Sequence, residues 1–205
     1  NVKNSMVDER KNGQNFTQLL KNKKLKIVCF IMFLVGGSFL TCLNFAAVFT
    51  KSINVLPITI FFLSYTVIAL IMRIFFGWLP DKYGQVTFCK PALILYGLSI
   101  GILGLSINYI SVMSAGILFG ISHALVYPSI YTLALRFTDI SNKSKAFSTC
   151  SVSFTFGGMI FSIIYGLIAE TYSFKVMFLS CSIIVTLGFY CLIKLLEKEI
   201  LNEYR

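Results

Sequence analysis

Charge is what this sequence has least of. Only 13% of its 205 residues are Asp, Glu, Lys or Arg, and eight of them are acidic, whereas a soluble domain carries about 25% charged residues. A soluble globular fold is excluded on that count, and a mean hydropathy of +0.81 agrees. Catalytic signatures are missing too. There is no HExxH, no nucleophile motif, no glycine-rich phosphate loop and no intramembrane cluster of His, Asp and Glu around the single histidine, so no catalytic residue and no cofactor is expected and the chain does not read as an enzyme. The six cysteines contain no CxxC pair and lie in or beside apolar runs. They read as small buried hydrophobes, with no metal site and no disulfide framework. No short apolar stretch with a small-residue cleavage site precedes the first long run, so no signal peptide is visible. With Asn at position 1, the chain reads as an excerpt from a longer protein.

What is present is a set of long runs without any charge: 27–50, 52–72, 91–135, 146–169 and 176–193. Each is long enough to cross a bilayer, which takes about 20 apolar residues. At 1.5 Å per residue the third run, as one helix, is roughly twice the hydrocarbon thickness of about 30 Å, so it folds back near Asn108-Tyr109. Six transmembrane helices result. Lipid-facing strands would alternate apolar and polar residues over about ten-residue segments, and these runs are apolar on both parities.

The net charge of +10 raises the possibility of nucleic acid, but the basic residues are spread over four membrane flanks rather than one folded face, which excludes it. Lys3, Arg10, Lys11, Lys21, Lys23, Lys24 and Lys26 precede the first helix. Arg73, Lys82 and Lys90 flank the second loop, Arg136, Lys143 and Lys145 the fourth, and Lys194, Lys198 and Arg205 the tail. Only Lys51 and Lys175 are left for the odd-numbered loops. By the positive-inside rule both termini are cytoplasmic, in a multi-pass protein of a plasma or bacterial inner membrane. Three regions follow: a basic cytoplasmic linker over 1–26, a six-helix domain over 27–196 and a cytoplasmic tail over 197–205. Within the linker, Phe16, Leu19 and Leu20 beside Lys21, Lys23 and Lys24 suit a short helix on an anionic membrane face; a plain loop fits the composition equally.

One repeat stands out. Gly77-Trp78-Leu79-Pro80-Asp81-Lys82-Tyr83-Gly84 follows the second helix and Gly166-Leu167-Ile168-Ala169-Glu170-Thr171-Tyr172-Ser173 follows the fifth. Glycine, an aliphatic, an acid and tyrosine recur in the same order. The copies stand three helices apart and so on opposite sides of the membrane, as two inverted three-helix repeats would place them.

The stretch from Arg73 to Gly84 resembles the loop signature of the major facilitator superfamily. Gly120-Ile121-Ser122-His123-Ala124-Leu125-Val126-Tyr127-Pro128 is similar to the fourth helix of a half of that fold, Lys143-Ser144-Lys145-Ala146 to its basic loop before the fifth helix, and 172–178 to the link into the sixth. The similarity covers roughly 25–196 and looks most like the carboxy-terminal six-helix half of a sugar or drug efflux permease. Two departures stand against it: Gln85 occupies a position that is usually basic, and the Gly-Pro pair of many antiporters is missing, with Phe161-Ser162 in its region. The resemblance implies a secondary active transporter, taking up or expelling a small solute by alternating access, with a proton as coupling ion, the lipid bilayer around it and an amino-terminal six-helix half as partner. It also implies that Asp81 latches the outward-facing state from the cytoplasmic side.

The residues give their own reasons for a role of this loop. Gly77 and Gly84 permit a tight connection and Pro80 stiffens it. Asp81 can accept from free amides at a neighbouring helix N-terminus, whose partial positive charge favours a carboxylate by about 0.3–1 kcal/mol. Arg73, set into the helix end, must snorkel or pair with an acid, and Lys82 completes the loop's charge. Arg136 and Asp139 are candidates for the same cytoplasmic charge network. For the substrate cavity, Gly37, Thr41 and Asn44 fall within about 60° on the first helix, and Gly116, Gly120, His123, Tyr127 and Tyr131 within about 80° on the fourth. Polar groups at membrane depth are costly unless they meet a partner or water, so Thr41, Asn44, His123, Tyr127 and Tyr131 are the cavity candidates. Helix packing by small residues is the competing account of Gly37 and Thr41. His123, with an ordinary pKa of about 6.5, is the candidate proton carrier. The rival class is a non-transporting six-helix membrane subunit serving assembly or sensing.

Overall fold

The computed structural model describes residues 22–201. The linker segment with Phe16, Leu19 and Leu20 lies outside the described residues. Six long helices follow one another: α1 (Lys23–Ser52), α2 (Ile60–Phe76), α3 (Gln85–Gly104), α4 (Tyr109–Arg136), α5 (Lys143–Thr171) and α6 (Phe174–Leu201). A five-residue helical turn, Leu79–Tyr83, sits in the loop after α2, and a 3-10 turn, Ile140–Asn142, precedes α5.

The helix starts follow from local chemistry. The Asn22 side chain accepts hydrogen bonds from the amides of Lys24 (3.0 Å) and Leu25 (3.3 Å), satisfying two of the donors that a helix start leaves open. Asn108 and Ser111 form a reciprocal capping box at the start of α4, in which the Ser111 amide donates to Asn108 Oδ1 at 2.9 Å. The long charge-free run therefore breaks where its length requires. Gly84 adopts φ 90° between the loop turn and α3, a left-handed conformation that costs a side chain about 1–2 kcal/mol.

Four of the helices are long and apolar enough to cross a membrane: α1, α4, α5 with its preceding turn, and α6, with mean hydropathies of 1.7 to 2.3 over their most apolar windows. α2 (17 residues) and the apolar part of α3, Phe88–Gly104, are shorter. At about 25 Å, 17 residues sit at the low end of the spanning range. α1 begins four residues before the apolar boundary of the sequence and α6 runs five past it, because lysines at the ends can snorkel.

Lipid tails give helices no hydrophobic reason to associate, so close packing must do it, and small residues permit the closest approach. α1 lies against α5, α2 against α4, and α3 against both α4 and α6. A Cβ added to Gly36 of α1 would stand 2.0 Å from the carbonyl oxygen of Phe154 in α5; one added to Gly157 of α5 would stand 2.0 Å from that of Phe33 in α1. On α4, Gly116 and Gly120 leave room for the Phe61 and Tyr65 carbonyls of α2, and on α3, Gly97, Gly101 and Gly104 leave room for Thr186, Ser182 and Phe178 of α6. Gly116 and Gly120 are thus contact residues of a helix pair. The opposite faces are apolar and open: Leu63, Val67, Leu70 and Ile74 form one exposed stripe along α2, as a lipid-facing surface requires.

Candidate functional site: an aromatic cage and a tyrosine ladder on the fourth helix

The polar residues of α4 stand one turn apart, so His123, Tyr127 and Tyr131 fall on one face. His123 is 3% exposed. Its ring stacks on Phe39 of α1 (centroids 4.5 Å, planes 9° apart) and lies parallel to Phe119. Tyr65 of α2 and Tyr96 of α3 stand at 5.8 and 6.0 Å. Nδ1 is 3.2 Å from the Tyr65 hydroxyl, while Nε2 has no hydrogen-bond partner among the described residues. The imidazole is therefore enclosed by rings from four helices, with half of its polar capacity unused.

From this cage a ladder of hydroxyls leads toward the end of α4. The half-buried Tyr127 donates to the Tyr131 hydroxyl at 3.4 Å, and Tyr131 shares a 2.9 Å hydrogen bond with Ser151 of α5. Tyr127 packs edge-on against Phe154 of α5. Beside it an open pocket of about 330 Å³ runs along α5, lined by Ser151, Val152, Thr155, Phe156 and Met159. The α5 hydroxyls return to their own helix: Ser151, Ser153 and Thr155 donate to the carbonyls of Phe147, Thr149 and Ser151. That satisfies their donors within the helix, and Ser151 among these three also has the Tyr131 contact across to α4, so a polar helix face can stay uncovered.

The cavity candidates of α1 part company. Asn44 is exposed and donates to Ser162 of α5 at 3.0 Å. Thr41 is fully buried and donates to the Gly37 carbonyl at 2.8 Å, the arrangement of a packing residue. Sequence reasoning missed Tyr65, Phe39, Tyr96 and Ser151. The available signal was that a tyrosine inside an apolar span must find a partner for its hydroxyl; Tyr96, fully buried, finds the Val35 carbonyl at 3.3 Å.

The loop candidates form a second region. Arg73 is exposed in the last turn of α2, and a Cβ on Gly77 would meet the Arg73 carbonyl at 2.6 Å. Asp81 lies in the five-residue turn, but its side chain is outside the described ones. Lys82 Nζ sits over the Trp78 ring at 5.2 Å. Gln85, the departure from the resembled motif, is buried and accepts from Arg136 Nη1 of α4 at 3.1 Å. A neutral acceptor thus stands where a second cation would repel Arg136. Asp139 starts the 3-10 turn, its carbonyl accepting from the Asn142 amide at 2.9 Å. Asn22 Nδ2 donates to the Phe137 carbonyl at 2.7 Å, fastening the start of α1 to the end of α4. Among the described residues no group of three or more His, Cys, Asp and Glu could hold a metal ion.

No curated protein matches the chain. A family model, that of the Major Facilitator Superfamily, matches residues 12–203. With the family model matching across all six of its apolar helices, the chain belongs to the Major Facilitator Superfamily and is a multi-pass membrane protein of its transporter type.

Proposed function

We propose that the chain is one six-helix half of a secondary active transporter, moving a small solute by alternating access with proton coupling. The observation that carries this reading is the uncovered polar face formed by Asn44, Tyr127 and the hydroxyl-rich side of α5, which hydrocarbon would penalise and a second six-helix half would cover. Solute would meet Asn44, Tyr127 and Tyr131 there. The helix pairing supports two inverted repeats: exchanging the first three helices with the last three turns the α1–α5 contact into α4–α2 and returns α3–α6 to itself. Arg73, Gly77, Asp81, Lys82 and Gly84, with Arg136 and Asp139, would form the cytoplasmic latch, and the regions 1–26, 27–196 and 197–205 would be linker, membrane domain and tail, with both termini in the cytoplasm.

His123 is the proton carrier of this reading. In its cage a neutral imidazole stacks on Phe39 and Phe119, and the negative ring faces would offset part of the cost of burying an imidazolium there. The groups facing it are the hydroxyls of Tyr65 and Tyr96, with Tyr127 on its own helix and the Arg73 guanidinium two turns beyond Tyr65 as a like charge that works against an imidazolium. The test is flux in vesicles holding the chain with its companion half and a trapped pH-sensitive dye. A transported solute should move protons with it, and His123→Gln should keep the protein in the membrane while flattening the pH dependence. Solute flux without proton movement would overturn the coupling. Absence of any flux would favour an assembly or sensor subunit.

A further inference from the structure

Five of the six cysteines are buried and Cys191 is exposed. Two of the buried ones meet across a helix pair: Cys29 Sγ of α1 and Cys150 Sγ of α5 stand 3.6 Å apart, with relative exposures of 9% and 0%. We propose that Cys29 and Cys150 are a modification site, a membrane-buried dithiol that closes to a disulfide under a two-electron thiol oxidant and fastens α1 to α5.

The geometry holds the two thiols in place from a distance. Each cysteine lies seven residues before the glycine that admits the other helix's backbone, Cys29 before Gly36 and Cys150 before Gly157. Seven residues are two turns, about 10.5 Å along the axis. The contacts Cys29–Cys150, Gly36–Phe154, Leu40–Gly158 and Asn44–Ser162 ascend in number together, so the helices run in the same direction in one fixed register. Sliding by one residue would drive the Gly36 and Gly157 contacts apart, so the two backbones that carry the cysteines cannot separate without breaking them. From 3.6 Å the sulfurs need approach only by about 1.5 Å to reach the disulfide length of about 2.05 Å, a movement two side-chain rotations can share.

A diazene oxidant such as diamide supplies the chemistry. One thiolate adds to the N=N bond, forming an S–N bond, and its proton goes to the second nitrogen. The other thiolate then attacks that sulfur, the S–S bond forms and the S–N bond breaks. The leaving nitrogen takes the second proton, so two thiols are oxidised and the diazene is reduced to the hydrazine. Both cysteines lie in the second or third turn of their helices, about 9–11 Å from the helix starts, within reach of a small membrane-permeant reagent.

The test counts thiols in the full chain, in membranes, by alkylation after denaturation and peptide mapping. Six alkylable thiols should fall to four after diamide, with Cys29 and Cys150 joined in one disulfide, unchanged monomer mobility on a non-reducing gel and full recovery on reduction. Cys29→Ser and Cys150→Ser should each keep all five remaining thiols under the same treatment. Six thiols persisting in the wild-type chain would overturn the proposal. So would a bridge that maps to Cys42 and Cys181, or disulfide-linked dimers through Cys191. The mapping uses the unmodified chain, so it stands even if a variant fails to insert.

Discussion

A buried imidazole with one nitrogen bonded and the other bare makes the hydroxyl of Tyr65 the most consequential single oxygen near it. Deleting that oxygen leaves both ring nitrogens of His123 without a partner in a cage of rings. Hydrogen bonds between membrane helices average about 0.6 kcal/mol and reach about 1.7, and a second orphaned nitrogen pushes toward the upper end. Tyr65→Phe should therefore lower stability by about 1 kcal/mol in thermal unfolding of the detergent-solubilised protein. Tyr127→Phe, which removes a longer, half-buried hydrogen bond to Tyr131, should stay within about 0.5 kcal/mol. Equal effects of the two changes would mean that the Tyr65–His123 contact carries no weight. At this scale the sequence is legible only in part. The depth and solitude of His123 are visible in the letters, but Tyr65 is 58 residues away and nothing local pairs them. The angle of Thr41 on its helix is likewise readable, whereas its choice of the Gly37 carbonyl over a solute is a matter of which face α5 covers.

Between elements, backbone contact through glycine decides the pairing. Ala at Gly36 or Gly157 would place a carbon 2.0 Å from a carbonyl oxygen of the other helix. A carbonyl in the middle of a helix cannot swing away alone, so the whole α1–α5 pair must open. Overpacking costs about 1–3 kcal/mol, and these two positions should lie at or above the upper figure. Gly166→Ala is the control. Its Cβ would rest 3.4 Å from the end of the Phe45 ring, and the change should be neutral within about 0.5 kcal/mol. Thermal unfolding and the yield of folded protein would read the contrast, and a Gly36→Ala protein as stable as Gly166→Ala would remove glycine contact as the basis of the pairing. The small residues are conspicuous in the sequence, and the break at Asn108 follows from length alone. Which helix each stripe faces does not, because glycine reports that something approaches and not what. Gly116 and Gly120 are the instructive pair: they share an angular stripe with His123, yet they face α2 while the tyrosines of the same stripe lead toward α5.

For the whole molecule the distribution of charge is the strongest signal, since it depends on no contact. Lysine and arginine cluster beside the even-numbered loops and the ends of the chain, and the positive-inside rule converts that bias into orientation. The fold preserves the arrangement: the loop turn Leu79–Tyr83 and the end of α4 come together through Arg136 and Gln85, and Lys90 of α3 pairs with Glu197 of α6, so the basic flanks gather at one end of the bundle. The loop between α1 and α2, with Asn54 at φ 56° and exposed, belongs to the other end. Single cysteines in a cysteine-free background can read the two ends. Lys82 is the better reporter for the basic end, because its side chain is exposed and Gln85 is buried against Arg136. An impermeant thiol reagent should label Lys82→Cys from the cytoplasmic side and Asn54→Cys from the outside, in intact cells and inverted vesicles. The same experiment tests the short helix α2. If its 17 residues failed to cross, both positions would label from one side, and the two three-helix repeats could not be inverted.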